Sequence, residues 1–129
     1  MKVLVLSNGK LEERNITNKL EDLQKIVEGY IEIPYLGDKF RSNGIDVIIN
    51  EEGKFIEGLN PEIAVVDEKH GQILDIVYGN CIFASHDEVG ETIGLTDEQI
   101  LIVTKELETV IELMNKKTLK EFEVRALFI

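Results

Sequence analysis

The sequence predicts an α+β domain: a mixed, mostly antiparallel sheet with two principal helices packed on it. Three observations carry this. Short apolar runs rich in β-branched residues recur along the whole chain. Two stretches have the spacing of an amphipathic helix. Strands and helices do not alternate as βαβ units, which argues against a doubly wound sheet.

The elements follow in order. "KVLVLS" (Lys2 to Ser7) is a strand ending at Asn8-Gly9, a pair that tolerates positive φ and so signals a tight hairpin. "KLEERNI" is then a polar partner strand at an edge. "TNKLEDLQKIVEGY" is the first helix, with Leu20, Leu23, Ile26 and Val27 on one face, Asn18 and Glu21 as a capping box, and Gly29 as the stop. "YIEIPYL" is a strand that Pro34 marks as an edge or an end. "GDKFRSNG" reads as a loop with a basic spot at Lys39 and Arg41. "IDVIIN" is a buried strand, "EEGK" its turn, and "FIEGL" a return alongside it. Asn60 and Pro61 suit the start of a short helical turn.

"IAVVD" leads into the turn "EKHG". "QILDIVYGNCIFAS" is the longest strand-like region, with Gly79-Asn80 as a bulge or turn. "LTDEQILIVTKELETVIELMN" reads as one long helix, capped by Thr96 and Gln99. Its stripe is Ile100, Val103, Leu107, Val110, Ile111 and Met114. Ile102 and Leu113 then fall on the other side, about 200° and 220° from Ile100. The alternating tail, with Phe122, Val124, Ala126 and Phe128, is the expected cover for that second patch. A subunit interface through Ile102 and Leu113, hence a homodimer, is the other candidate.

The 129 residues fit one domain. Its core is expected over 1–115, with 116–129 as an extension forming an extra strand. Hydrophobic residues at 43% suffice for a core. The apolar run at the N-terminus is too short for a signal peptide. No stretch approaches a membrane span, so the chain is expected in the cytoplasm. One cysteine excludes an internal disulfide and a cysteine-based zinc site.

The net charge of −11 argues against direct nucleic-acid binding, which needs a basic face. It raises the opposite idea, imitation of nucleic acid. A chain of this size exposes about 6,900 Å², or about 600 Å² per net charge, against about 100 Å² per charge on duplex DNA. Mimicry therefore requires Glu12, Glu13, Asp87, Glu88, Glu91, Asp97 and Glu98 to share one face.

Four segments occur in a recognisable order: "LEDLQKIVEGYIEI", "INEEGKFIEGLNP", "DEKHGQILDIVYGNCIF" and "GLTDEQI". The series resembles domain-of-unknown-function family 3846, small proteins of Gram-positive bacteria, phages and mobile elements, from about Met1 to about Ile102. The resemblance implies no activity and no catalytic residues. It places "HDEVGE" at an acidic loop between a long strand and the last helix. Two features depart from the family pattern: Glu28 stands where many members have a second glycine, and the tail after Asn115 is extra.

The candidate chemistry is sparse. In "ASHDEVGE", His86 would need an orienting acid and a nucleophile or metal. Asp87 and Glu88 are its sequence neighbours and need not converge on it, so the stretch reads as a turn. His70 with His86, Asp67 and Asp87 lacks helical i, i+4 spacing, and no metal site is assigned. Cys81 reads as a small buried hydrophobe. Glu51 and Glu52 read as solvated turn acids. The phosphate-binding glycine motifs and G-x-S-x-G are absent. Tyr30, Tyr35, Phe40 and Tyr78 read first as core packing, in a chain with no tryptophan and only 6% aromatic residues; the alternative is a small pocket that they line, with Arg41 as an anion partner. No cofactor is implied.

The sequence thus favours a non-enzymatic accessory protein of a phage or mobile element. It would act by binding a protein partner, with the acidic surface selecting a basic one. The alternative is a small-molecule or nucleotide-sequestering protein, which requires a pocket at Tyr35, Phe40 and Arg41. An enzyme comes third and requires His70 or His86 beside a pocket, in reach of a second functional group.

Overall fold

The computed structural model describes residues 1–115 and 119–129. Two sheets stack on a shared core. The first contains β1 (Lys2–Ser7), β2 (Lys10–Asn15), β3 (Ile31–Glu32), β4 (Ile45–Asn50), β7 (Cys81–His86) and β8 (Thr92–Ile93). Its order is β2-β1-β7-β4-β3, with β8 beside β7, and every pair is antiparallel. The second contains β5 (Pro61–Val66), β6 (Ile73–Tyr78), β9 (Val110–Asn115) and β10 (Lys120–Phe128), in the order β6-β5-β10-β9. Its β10–β5 pair is parallel, so the architecture is α+β with mixed, mostly antiparallel sheets. The α-helices are α1 (Leu20–Val27), α2 (Asp38–Ser42) and α3 (Asp97–Glu106).

Alternation along the strands sorts side chains into layers. Leu4, Leu6, Val47 and Phe83 of the first sheet meet Ile63, Val65, Val77 and Leu127 of the second. Phe40 of α2 and Val103 of α3 join this layer, and Phe40 meets Phe83 edge to face at 5.9 Å. The other face of the first sheet, with Val3, Val5, Ile48 and Ile82, is covered by Leu23 and Val27 of α1. The outer face of the second sheet is also apolar, centred on Ala64, Val66, Val124 and Ala126.

The polar join between the sheets is Glu62. Its buried carboxylate accepts the Asn8 and Gly9 N–H groups, both at 2.9 Å. These are the two positive-φ residues of the β1–β2 turn. Arg125 of β10 donates to the carbonyls of Gly9 and Leu107, at 3.0 and 2.9 Å. Burial raises the Glu62 carboxyl above its ordinary value, against the lowering effect of the two N–H bonds and Arg125.

Several expectations are corrected. The α1 cap position is Lys19, without a side-chain cap bond. Asn18 instead donates to the Thr92 carbonyl, and Thr17 bonds Asp22. The left-handed residue ending α1 is Glu28 (φ 64°), not Gly29. "DKFRS" is the short helix α2 rather than loop. "FIEGL" forms no strand; Gly53–Phe55 is a 3-10 turn. Pro61 opens β5 instead of a helical turn. The long strand-like region breaks at Gly79 (φ 87°), which sends β6 and β7 into different sheets.

The largest correction concerns the long helix. It ends at Glu106, and Val110–Asn115 is β9, paired with β10. The capping box of Thr96 and Gln99 forms as expected. Val110, Ile111 and Leu113 satisfy both a helical and an alternating pattern, and pairing with β10 selects the strand. Ile102 and Leu113 therefore share no patch: Ile102 packs against the core between the sheets, Leu113 on the outer face of the second sheet. The tail forms a strand from Lys120; residues 116–118 of the expected extension lie outside the described residues.

Two predictions follow from the backbone and the join. Glu28→Gly should stabilise the protein by about 0.5–1 kcal/mol, because glycine adopts left-handed φ without the Cβ penalty. Urea unfolding measures it, and unchanged or lowered stability would contradict the assignment. Glu62→Gln should cost about 1–3 kcal/mol, since the amide nitrogen cannot accept from one of the two N–H groups, whereas both carboxyl oxygens can in either protonation state. Native Glu62 binds its proton more tightly than unfolded Glu62. Its contribution is thus fullest below the ordinary glutamate value and is lost as pH rises through the raised one. The wild-type advantage over Glu62→Gln should shrink as pH rises above the ordinary glutamate value of 4.5 in unfolding titrations.

Candidate functional site

The site lies where β3 stops. Its pairing with β4 ends at Glu32↔Ile49. Two residues on, Pro34 has no N–H to continue the ladder. The chain then leaves β4 and returns through α2, so a cleft of about 430 Å³ stays open beside Ile45–Val47. That is within the usual range for small-ligand sites, about 300–1,000 Å³.

The floor is apolar: Phe40, Ile45 and Val47 are buried. The rim is polar. The Arg41 guanidinium sits over the Tyr35 ring, 5.2 Å from its centroid. The Tyr35 hydroxyl donates to Asp38 at 2.5 Å, and that bond holds its pKa above the ordinary tyrosine value. Arg41 forms no ion pair among the described residues, whereas nearby Lys39 is paired with Glu106 at 3.4 Å. Arg41 is thus positioned by stacking without being neutralised.

Opposite stand Asp46 of β4 and His86 of β7, joined Oδ2 to Nδ1 at 2.8 Å. Asp46 pairs with Ala84, so His86, two residues farther along, is its diagonal neighbour on the same face. Gly37 (φ 95°) completes the loop over the cleft. A Cβ there would come within 2.6 Å of the Ile129 side chain, so the loop rests on the last residue of the chain. Ile129 is itself held, its N–H on the Val66 carbonyl and its carbonyl on the Glu68 N–H, both at 2.9 Å.

Tyr35, Phe40 and Arg41, chosen from sequence, all line this cleft. Tyr78 lines a separate pocket with Phe55 and Lys54, and Tyr30 is exposed. His86 does meet an acid, but the partner is Asp46. Asp87 accepts N–H bonds from Val89 and Glu91 in its own turn. Asp46 was missed; its signal was an acid inside the apolar run "IDVIIN". His70 lies in the β5–β6 turn with Asp67, 2.7 Å away, which lowers the Asp67 pKa. Among the described residues no three His, Cys, Asp or Glu side chains group as metal ligands. Cys81 is fully buried, and burial pushes its thiol pKa up, away from reactivity.

The acids chosen for mimicry do not share a face. Glu12 lies opposite Val5, on the α1 side, and Glu13 opposite Leu4, on the inter-sheet side. Asp97 is paired with Lys2 at 2.6 Å, and Asp87 is committed to its turn. Glu88, Glu91 and Glu98 are exposed, the first two in the loop after β7, the third at the start of α3.

The chain belongs to a family described as a domain of unknown function (DUF3846), whose model matches residues 1–108. No curated protein and no solved structure matches it. The match ends just after α3, so β9 and β10 lie beyond it. Among the described residues no helix is long and apolar enough to cross a membrane.

The rim geometry makes one prediction. Asp38→Asn should return the Tyr35 ionisation toward the ordinary tyrosine value of 10.0, because the acceptor that favours the neutral phenol loses its charge. Absorbance titration should show one of the three tyrosine transitions move down. No movement in any of them would place the Tyr35 hydroxyl away from Asp38.

Proposed function

We propose that this is a binding protein whose cleft takes a ligand with a carboxylate or phosphate group. The observation that carries this is Arg41, held over Tyr35 at the rim with no ion pair among the described residues. A planar cation fixed in place loses little entropy when it grips an oxyanion. The apolar floor of Phe40, Ile45 and Val47 would receive the rest of the ligand. His86, held by Asp46 through Nδ1, stands across the cleft from Arg41 as a second polar contact. The carboxylate or phosphate group is carried by a free small molecule or by a partner protein, and the family resemblance supports an accessory role in a phage or mobile element.

The Asp46–His86 pair supports a second reading, acid–base chemistry in the same cleft. Aspartate orients the ring, leaving Nε2 for proton transfer. Ser85 cannot serve as its nucleophile: it alternates to the other face, where its Oγ–H donates to the Gly44 carbonyl at 2.7 Å. The attacking group would have to come from water or the substrate.

Titration of ¹⁵N-labelled protein with inorganic phosphate and with a nucleoside monophosphate tests the first reading. Shifts should centre on Tyr35, Arg41 and His86, and Arg41→Ala should weaken binding about 10-fold or more. Diffuse shifts, or affinity unchanged in Arg41→Ala, would overturn it. Under the second reading, His86→Gln should abolish turnover of a bound ester while leaving its binding within about 10-fold.

A further inference from the structure

Among the described residues four strands end the two sheets, and they are not equally protected. An unpaired edge invites another strand, and proteins usually blunt it with charge, proline, bulges or brevity. β2 carries Lys10, Glu12, Glu13 and Arg14. β3 has two residues and is followed by Pro34. β6 has register irregularities against β5 at two places. β9, "VIELMN", has six residues, one charge, and an unbroken register against β10.

The backbone direction of β9 is fixed by its pairing. The Ala126 N–H donates to the Thr109 carbonyl at 2.8 Å, so the odd-numbered residues address β10. Val110, Glu112 and Met114 therefore direct their N–H and C=O groups outward. Among the described residues no backbone hydrogen bond is made by these groups, and the residues that carry them are exposed, Val110 at 48% and Met114 at 57%. The intervening side chains, Ile111 and Leu113, join the apolar outer face of the second sheet with Phe122 and Phe128.

We infer that β9 pairs with β9 of a second copy of this chain, antiparallel about a two-fold axis perpendicular to the sheet. Such pairing is isologous and closes after two copies. It also keeps the apolar faces of both sheets on one side, giving one eight-stranded sheet with a continuous apolar face. Electrostatics selects the register. Centring on Glu112 would set two glutamates opposite each other. Centring on Leu113 sets Glu112 against Met114 of the second copy and makes the two Leu113 side chains a close, non-hydrogen-bonded pair. This interface lies outside the family match, in the C-terminal hairpin.

Sedimentation equilibrium of the full chain, from about 1 µM to about 1 mM, tests the inference. A dimer should form and should tighten with added salt, because each copy carries a net charge of −11 and screening relieves the repulsion. Met114→Pro removes an outward N–H without touching the bonds to β10, and should weaken the dimer about 10-fold or more. Leu113→Cys should give a disulfide-linked dimer on mild oxidation, with buried Cys81 taking no part. A monomer throughout the range would overturn the inference. So would a dimer unaffected by Met114→Pro, or one that Leu113→Cys fails to cross-link.

Discussion

A single buried carboxylate holds the two sheets in register. Glu62 sits at the start of β5, in the second sheet, and grips the turn joining β1 to β2 in the first. Apolar packing between the sheets is non-directional and would tolerate sliding. Two N–H bonds to one carboxylate do not. Arg125 adds direction from a third element, because its guanidinium spans the Gly9 carbonyl and the end of α3 at Leu107. Burial opposes the charge on Glu62, and the bonds and Arg125 offset only part of that cost. The join thus trades some stability for a defined geometry, and the cleft depends on that geometry because its loop leans on the second sheet through Ile129.

The cleft is the product of one missing donor and one missing side chain. Had residue 34 an N–H, β3 could continue along β4 and cover Val47. Had residue 37 a side chain, the loop could not close over Ile129 without moving it. Between these two points the loop presents Tyr35, and α2 presents Arg41. The cation keeps its charge available in a chain whose other local cation, Lys39, is already paired. A strongly acidic protein is a poor attractor of anions at long range. Selectivity at this site would therefore come from contact with Arg41 and the apolar floor rather than from steering.

What could be read from the sequence was what local chemistry decides. Asn8-Gly9 specified the hairpin, Thr96 with Gln99 specified the start of α3, and Phe122 to Phe128 specified a strand. Tyr35, Phe40 and Arg41 were legible as a group because they lie within seven residues. What failed was decided by tertiary pairing. Val110 to Met114 fits a helix as well as a strand until β10 lies beside it. The Gly79 break read as a bulge or a turn because both flanking strands are apolar, and nothing local says that they belong to different sheets. Asp46 and His86 are forty residues apart, and only the β4–β7 register makes them neighbours.

The segment beyond the family match is structurally committed. β10 is a central strand, with β5 on one side and β9 on the other. Its inward Leu127 is part of the core between the sheets, and its Arg125 is part of the Glu62 join. Ile129, the residue after β10, supports the loop that carries Tyr35. A detachable tail would bury little and could be lost at small cost; this one would leave the wholly buried strand β5 with an open edge. Cleft and hairpin therefore meet at Ile129, which follows β10 and against which the loop over the cleft packs.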